Sequence, residues 1–258
     1  MTDFGIKDNF VGVMKAVCLK INNRLNLVDI THQVTSQDIL GAALLLKSSY
    51  RFFAPNSIFL TVVDPGVGSS RKALAIQTKN YFFVGPDNGI LSLAACADGI
   101  KKIVELKNKK FFLKGVSHTF HGRDIFAPVA AYLSLGKGID AFGKRQDSLK
   151  KIALPMPLVK KDQLIGEVVY IDKFGNLVTN IDEAQFNRFI GNNSAQLSIK
   201  GRHIKTLAKS YADVRPGRPV MIFGSFGLLE ISLSYACAQK ILGAKKGTVV
   251  SLSRDNFL

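Results

Sequence analysis

A nearly continuous apolar run from Ser57 to Asp64 (SIFLTVVD) constrains the fold of this chain more than any other segment. Such a run is typical of a buried strand that is covered on both faces. Apolar residues at helical spacing precede and follow it, so that strands and helices alternate through the first 150 residues. This alternation predicts an α/β layered domain.

The predicted helices of this domain begin at polar residues that can cap them. Asp8 precedes a helix that carries Val11 and Ile21, Ser36 precedes a helix over 36–50, and Asp124 begins a helix over 124–135. A further helix follows the turn signal at 85–89. The predicted strands of the domain are 24–31, 57–64, 72–77, 81–84 and 102–106.

The pattern changes after residue 150. Segment 151–162 holds two of the eight prolines, and we interpret it as a linker. Beyond it, glycine and asparagine turns separate short strands, which predicts a small β-rich domain, either a barrel or a sandwich. The predicted organisation is an α/β domain over 1–150, a linker over 151–162 and a β-rich domain over 163–258. The predicted strands of the second domain are 164–171, 177–181, 195–199, 220–223, 228–233 and 248–252.

The chain is strongly basic, with 35 Lys and Arg against 19 Asp and Glu and a net charge of +16. This balance fits either an acidic partner such as nucleic acid or a basic surface exposed to solvent. The lysines lie in small scattered groups without aromatic residues between them. We therefore favour the solvated surface and expect no nucleic-acid partner.

The three cysteines, Cys18, Cys96 and Cys237, are isolated in apolar contexts. They are expected to be reduced core residues of a cytoplasmic protein. No apolar run is long enough to span a bilayer, so no membrane association is expected. No His, Cys and Asp cluster has the spacing of a zinc site, and we expect no metal.

Two glycine-containing motifs carry groups that can bind or move a proton. The first, VDPGVGSSR, contains Asp64 and Arg71, and the second, FHGRD, contains Phe120, His121 and Gly122. An acid, a guanidinium and an imidazole on tight turns could hold one small polar reactant. The alternatives are an ion pair that closes a loop and a structural histidine.

Three more motifs could bind parts of a nucleoside. Asp3 and Asp8 in TDFGIKD could grip a ribose diol, although a surface turn and a helix cap are the simpler interpretation. In DKFGN (Asp172, Phe174 and Asn176), an aromatic ring and an amide suit a purine, or the motif is only a hairpin turn. GSFGLLE offers Ser225, Phe226 and Glu230, whose carboxylate could bind an amino group or be an edge-strand charge.

The order of these motifs resembles the S-adenosylmethionine (SAM) hydroxide adenosyltransferase family, which is related to the fluorinase and chlorinase. The resemblance covers TDFG, VDPGVG, GPDNG, FHGRD, DKFGN with TNI, and GSFGLLEI, nearly the whole chain. It implies an N-terminal α/β domain and a C-terminal β-barrel-like domain. It also implies a homotrimer, with each site between the first domain of one subunit and the second domain of its neighbour. The implied reaction converts SAM and water to adenosine and L-methionine, without a cofactor.

The resemblance also assigns roles to residues. Asp64, Arg71 and His121 would place the water or hydroxide, and which of them acts as the base stays open. Asp3 would bind the ribose, and Asp8 would lie near the methionine portion. The other implied binding residues are Phe120, Gly122, Asp172, Phe174, Asn176, Tyr211, Ser225, Phe226 and Glu230.

Halide chemistry is the alternative within the family, and a non-catalytic protein that binds adenosine or SAM is a further one. The halogenases carry hydroxyl or apolar residues where Asp64 and His121 stand here, and an ionised Asp64 would repel a halide. The fluorinase also has an inserted loop, whereas Arg71 to Val84 is compact. These features favour water. Family members usually begin with an apolar strand before TDFG, whereas Met1 directly precedes Thr2 here.

Overall fold

The computed structural model of the protein describes residues 1–255. The chain divides into two compact units, Met1–Ile152 and Ala153–Leu258. In the described part of the chain, no helix is long and apolar enough to cross a membrane.

The N-terminal unit contains a five-stranded sheet in the order β1-β3-β2-β4-β5. β1 and β3 are parallel, and the other neighbouring strands are antiparallel. Its elements are α1 (Phe10–Ile21), α2 (Ile39–Ser49), β1 (Ile58–Leu60), β2 (Ala73–Thr78), β3 (Phe82–Pro86), α3 (Ser92–Asp98), β4 (Ile100–Leu106), α4 (Ala127–Ser134) and β5 (Gly143–Gln146).

Helices cover both faces of this sheet. Alternate residues of β2 and β3 point to opposite faces, because side chains alternate along a strand. Ala75 and Val84 pack in one core with α1 and α4, whereas Ile76 and Phe83 pack in another with α2 and α3. The predicted α/β layered architecture is therefore confirmed.

The predicted strand 24–31 is wrong, and its surroundings explain why. The Met1 amine donates to the Leu60 carbonyl at 2.8 Å, on the outer edge of β1. Thr2 N donates to the Thr31 carbonyl at 3.1 Å, so the segment has a partner at its end. Much of the segment lines, together with β1, a cavity of about 1020 Å³. A strand needs a neighbouring strand for its backbone hydrogen bonds, and most of 24–31 has none there.

Two predicted helix caps are also wrong. The N-cap of α1 is Asn9, and Asp8 is exposed in the preceding loop. The N-cap of α2 is Asp38 rather than Ser36, and its side chain accepts a backbone N–H of the first turn at 2.9 Å. Gln37 has a φ of 63°, which is not helical, so the helix begins only after it.

The C-terminal unit is an antiparallel sheet in the order β10-β9-β13-β7-β8-β12-β11, with β6 paired to β7. The predicted linker 151–162 thus contains a short strand. The elements of this unit are β6 (Leu158–Lys160), β7 (Gln163–Ile171), β8 (Leu177–Asp182), α5 (Glu183–Ile190), β9 (Ser194–Ile199), β10 (Arg202–Ile204), β11 (Pro219–Phe223), β12 (Leu228–Leu233), α6 (Ala238–Leu242) and β13 (Val249–Asp255).

This sheet curls into a nearly closed barrel, as predicted. The segment after β10 pairs with β11: Met221 N donates to the Thr206 carbonyl at 2.9 Å, and Ala208 N donates to the Met221 carbonyl at 3.0 Å. The two ends of the strand order therefore meet. Leu197, Met221 and Ile231 are fully buried in the core that the sheet encloses.

The three cysteines differ in their surroundings. Cys18 is buried, which raises the pKa of its thiol to about 11. Cys237 is partly buried, and Cys96 is exposed. The expectation that all three lie in the core is wrong for Cys96, because it lies on the solvent side of the short helix α3.

Candidate active site

Three parallel segments of the N-terminal unit end at the same edge of its sheet. Thr2 pairs in parallel with Val62, and β1 is parallel to β3. Asp3 follows the first segment, Asp64 the second and Asn88 the third. Ligands of open α/β sheets bind beyond the carboxyl ends of such strands. This edge is therefore where the chemistry-bearing side chains are expected to meet.

Asp64 and Arg71 form a buried ion pair at this edge. Arg71 Nε donates to both carboxylate oxygens of Asp64, at 2.9 and 3.0 Å, and Nη2 donates to Oδ2. Their side chains are only 5% and 10% exposed, respectively. The guanidinium also lies over the Phe126 ring, with Cζ 5.2 Å from the ring centroid. Two-point pairing and this stacking hold the guanidinium plane in one orientation.

Arg71 also binds His121. Nη2 lies 3.0 Å from Nδ1 of the imidazole. A guanidinium can only donate, so Nδ1 accepts and the neutral ring carries its proton on Nε2. Burial, followed by the Arg71 charge, lowers the pKa of His121, although Asp64 and Asp124 oppose this shift. The ring is therefore neutral at neutral pH.

A glycine brings the two motifs together. Gly68 has a φ of 78°, and a Cβ on it would lie 2.5 Å from the His118 carbonyl oxygen. The glycine loop thus packs directly against the segment that leads to His121. The turn that carries Asn88 lies at the same edge of the sheet, since Asn88 Nδ2 donates to the Val63 carbonyl at 2.7 Å.

Asp124 does not cap α4 as predicted. It lies within a π-helical turn, Gly122–Phe126, that precedes the helix. Its buried carboxylate accepts from Ser117 N at 2.8 Å and from Arg123 Nε at 2.6 Å. The side chain is occupied by the loop before the helix, and so it is not available to the first turn of α4.

An aromatic cluster includes Phe4, the residue that follows Asp3 in the chain. Phe4, Phe10 and Phe120 contact one another with ring centroids 5.3 to 5.7 Å apart. One Asp3 oxygen accepts from Gln37 N at 2.9 Å. A Cβ on Gly122 would lie 3.3 Å from Phe120 Cε2, so the glycine lets this ring pack closely.

In the C-terminal unit, the β7–β8 hairpin presents the predicted purine motif. Asp172 Oδ1 accepts from Phe174 N at 2.9 Å and from Asn176 N at 2.8 Å, while Oδ2 accepts from Asn176 Nδ2 at 2.9 Å. Gly175 adopts a φ of 87° within this turn. Asn176 is buried, whereas the Phe174 ring is 76% exposed. The hairpin turn thus displays one large aromatic face on a rigid support.

Glu230 on β12 is a buried carboxylate with two hydroxyl donors. Tyr211 Oη donates to Oε1 at 2.7 Å and Ser232 Oγ donates to the same oxygen at 2.6 Å. Burial and the carboxylates of Glu230 and Asp172 raise the pKa of Tyr211. The carboxylates of Glu230 and Asp172 therefore lie close enough to Tyr211 to act on its hydroxyl electrostatically.

Ser225 and Phe226 lie in the loop between β11 and β12. The Phe226 ring contacts Tyr170, with ring centroids 5.3 Å apart. This loop depends on Gly224, because a Cβ there would lie 2.7 Å from Glu230 Oε2.

Comparison with known proteins identifies the family. Residues 1–143 match the model of the SAM hydroxide adenosyltransferase N-terminal domain, and residues 166–251 match that of its C-terminal domain. The chain belongs to the SAM hydroxide adenosyltransferase family.

Relatives of this family member include both hydrolases and a halogenase. It is 34% identical to the (R)-S-adenosyl-L-methionine hydrolase of Thermus thermophilus, over 98% of this chain and 97% of the relative. It is 25% identical to a fluorinase of an Actinoplanes species, over 98% and 96% of the two chains. An uncharacterized conserved protein of Thermotoga maritima has a TM-score of 0.91 at 37% identity, covering 98% of both chains.

The structure of this family member divides the predicted residues into two sets. Arg71 touches both Asp64 and His121 in the N-terminal unit. Tyr211 touches Glu230 in the C-terminal unit, where Asp172 supports the hairpin. Asp8 is exposed. In the part of the chain that the structure describes, no cluster of three His, Cys, Asp or Glu could hold a metal ion.

The sequence motifs did not predict three residues that contact the candidate site residues or their chain neighbours. Ser232 could have been found, because it is two residues from Glu230 and thus on the same face of a strand. Asn88 was noted only as part of a turn. Phe126 has no sequence signal for its role, since its contact with Arg71 depends on the packing of α4.

Proposed function

We propose that this protein is an enzyme that hydrolyses S-adenosyl-L-methionine to adenosine and L-methionine. The observation that carries the proposal is the buried cluster in which Arg71 binds both Asp64 and His121. The cluster lies at the edge of the sheet where ligands of such folds bind. The hydrolase names of relatives that are 34% identical over nearly the whole chain support it.

The reaction needs orientation rather than activation of a leaving group. A water oxygen forms a bond to the ribose 5′ carbon as the bond from that carbon to sulfur breaks. The electron pair neutralises the sulfonium, and the water proton passes to a base. Because the sulfonium already leaves readily, the proposed reaction uses neither a metal nor a cofactor. The protein has to exclude bulk water and aim one oxygen opposite the sulfur.

The hydrogen bonds favour Asp64 as the proton acceptor. Arg71 occupies Nδ1 of His121, and the neutral ring therefore presents an N–H at Nε2. That group can donate to the attacking oxygen but cannot take its proton. The Asp64 carboxylate keeps acceptor capacity beside its three bonds to Arg71, because two carboxylate oxygens offer about four lone-pair sites. Asp64→Asn should therefore lower kcat more than His121→Gln.

The remaining residues suit the rest of the substrate. We assign Asp3 to the ribose hydroxyls and the exposed Phe174 ring, with Asn176, to adenine. The carboxylates of Asp8, Asp172 and Glu230 suit the positive charge of the amino-acid end. Phe120, Gly122, Tyr211, Ser225 and Phe226 would form walls around these groups.

Water is favoured over halide as the nucleophile. Asp64 is a carboxylate at the position where the nucleophile would lie, and a carboxylate repels an anion. The chain is also less similar to the fluorinase than to the hydrolases, at 25% against 34% identity. We therefore place halogenation second.

We further propose that the enzyme is a homotrimer, with each site built from the N-terminal domain of one copy and the C-terminal domain of its neighbour. His121→Ala and Asn176→Ala would each be inactive alone. Co-expression of the two variants would restore part of the activity, because some mixed sites then contain neither substitution. Sites within single copies would give no restoration, and light scattering would report the mass of the assembly.

The direct test is incubation with SAM, followed by separation of the products by mass. The relatives are named for the (R) compound, so the two sulfonium epimers should be supplied separately, and we expect faster turnover of the (R) epimer. Adenosine and methionine, in amounts that chloride and fluoride do not change, would support hydrolysis. A 5′-halo-adenosine product would show the halogenase reaction instead. Tight binding of SAM without any product would show a protein that binds SAM without turning it over.

A further inference from the structure

We propose that Asp124 is a positioning residue that holds His121 against Arg71. The inference rests on the proposed function of this site and extends it to a residue beyond the three that Arg71 joins. Asp124 lies in the same FHGRD motif, three positions after the histidine.

The His121 ring has little to orient it directly. In the described part of the chain, its one hydrogen bond is to Arg71, at 3.0 Å. The residue stands at the start of a π-helical turn, Gly122–Phe126. Turns of this kind depart from regular helical hydrogen bonding and often occur at functional sites. The direction of the ring therefore depends on what fixes the backbone around it.

Asp124 fixes that backbone through bonds to the segment that precedes the histidine. Its carboxylate accepts from Ser117 N at 2.8 Å, which ties down the segment before the histidine. Its backbone N donates to the Phe120 carbonyl at 3.1 Å, and its own carbonyl accepts from Leu113 N at 2.9 Å. The loop that carries His121 is thus closed by main-chain and side-chain bonds of a single residue.

The same carboxylate acts through Arg123. Arg123 Nε and Nη2 donate to the two Asp124 oxygens at 2.6 and 3.0 Å. The Arg123 guanidinium lies over the Phe120 ring, with Cζ 5.1 Å from the ring centroid. The residue before His121 is therefore held by its carbonyl and by its side chain. His121 is thus bonded to one ion pair, Asp64–Arg71, and is followed in the chain by a second, Arg123–Asp124.

Burial makes the carboxylate hard to replace. The Asp124 side chain is 2% exposed, and three donors point at its two oxygens. Asparagine has the same shape, but it turns one of those oxygens into a donor facing another donor. Such a mismatch would break the bond of residue 124 to either Ser117 or Arg123, while the fold of the sheet stays in place.

The test compares Asp124→Asn with Asp124→Glu, and uses Asp140→Asn as the control. Asp140 is exposed and forms an ion pair with Lys102 of β4 at 2.5 Å. We expect Asp124→Asn to lower kcat by roughly tenfold to a hundredfold with little change in KM, because a misplaced catalytic group costs about that much. Asp124→Glu should recover part of the loss, and Asp140→Asn should match the wild type.

A spectroscopic measurement on the free protein separates positioning from general stability. The ¹⁵N shifts of the His121 ring should report one tautomer in the wild type and a mixture in Asp124→Asn. A lowered kcat with unchanged ring shifts would overturn the proposal, as would an unchanged kcat. If Asp124→Asn fails to fold, Arg123→Gln takes its place, because it disrupts the paired bonds of Arg123 to Asp124 from a side chain that is 36% exposed. The same changes in kcat and in the ring shifts are then expected. The ring shifts need no substrate, so a wild-type protein that does not hydrolyse SAM would count against the proposed function alone.

Discussion

Arg71 Nη2 lies 3.0 Å from Nδ1 of His121, although the two residues are 50 positions apart in the chain. The Nε of the same guanidinium binds both oxygens of Asp64. One cation thus orients a carboxylate and an imidazole that belong to different loops. The guanidinium is therefore the centre of the cluster, and its removal should disturb both partners together.

Arg71→Lys tests this central role. An ammonium cannot contact both Asp64 oxygens and His121 in one plane, so we expect kcat to fall by roughly a hundredfold or more. Steady-state kinetics with SAM measures the effect. Arg51→Lys is the matched control, because Arg51 is exposed and lies over Phe52. A kcat for Arg71→Lys within threefold of the wild type would contradict the assigned geometry.

The pH dependence of hydrolysis should reflect a neutral His121. Burial and the Arg71 charge lower its pKa below the usual value of about 6.5. A protonated ring could not accept from Arg71, so kcat/KM should stay constant near pH 7 and fall only below that usual value. The same shift means that the contribution of this group to stability is lost as the pH falls. An acidic limb at or above pH 6.5 would show that the ring is charged in the working enzyme.

Phe174→Ala should weaken adenosine binding without changing the fold. Loss of a stacking ring costs about 1 to 3 kcal/mol per base in nucleic-acid complexes. Phe52→Ala is the control, since both rings are 76% exposed and neither substitution opens a core. Calorimetric titration with adenosine and thermal unfolding of both variants provide the comparison. Equal adenosine affinities for the two variants would show that the Phe174 ring does not contribute to binding.

The buried Met1 amine should make stability depend on pH. Burial lowers its pKa from 8.0 to about 5, so between these values the unfolded chain binds the proton and the folded chain does not. The free energy of unfolding should therefore rise from pH 5 to pH 8, by up to about 4 kcal/mol at 1.4 kcal/mol per pKa unit. Urea unfolding across this range measures the slope.

Two N-terminal extensions serve as controls for that slope. Either a Val/Ile extension or a Gly/Ser extension converts the amine to an amide, which should remove this part of the pH dependence. The apolar extension should also raise Tm further, because it can pair with β1 and enter the adjoining cavity. A slope that survives both extensions would have to come from other groups.

Gly68→Ala should loosen the contact between the two motifs. The new Cβ would lie 2.5 Å from the His118 carbonyl oxygen, at a φ of 78° that alanine disfavours. We expect a loss of about 1 to 3 kcal/mol in unfolding free energy. At Gly66 the nearest atom to a Cβ would be 3.4 Å away, so Gly66→Ala should cost less stability. Equal losses for the two variants, measured by urea unfolding, would refute this account.

The sequence by itself determined the architecture and the family. The apolar run that ends at Asp64, and the change after residue 150 to short strands with glycine turns, are local patterns that burial imposes on neighbouring residues. The ordered motifs identified the family, because each keeps its residues close together in the chain.

Only the tertiary structure decided how these motifs meet. The pairing of Arg71 with His121 and the stacking of Arg71 on Phe126 join residues that lie 50 or more positions apart in the chain. The predicted strand 24–31 failed for the same reason, since a strand depends on a partner that its own sequence does not specify. Local patterns follow from periodicity and burial, whereas contacts between distant residues depend on how the elements pack.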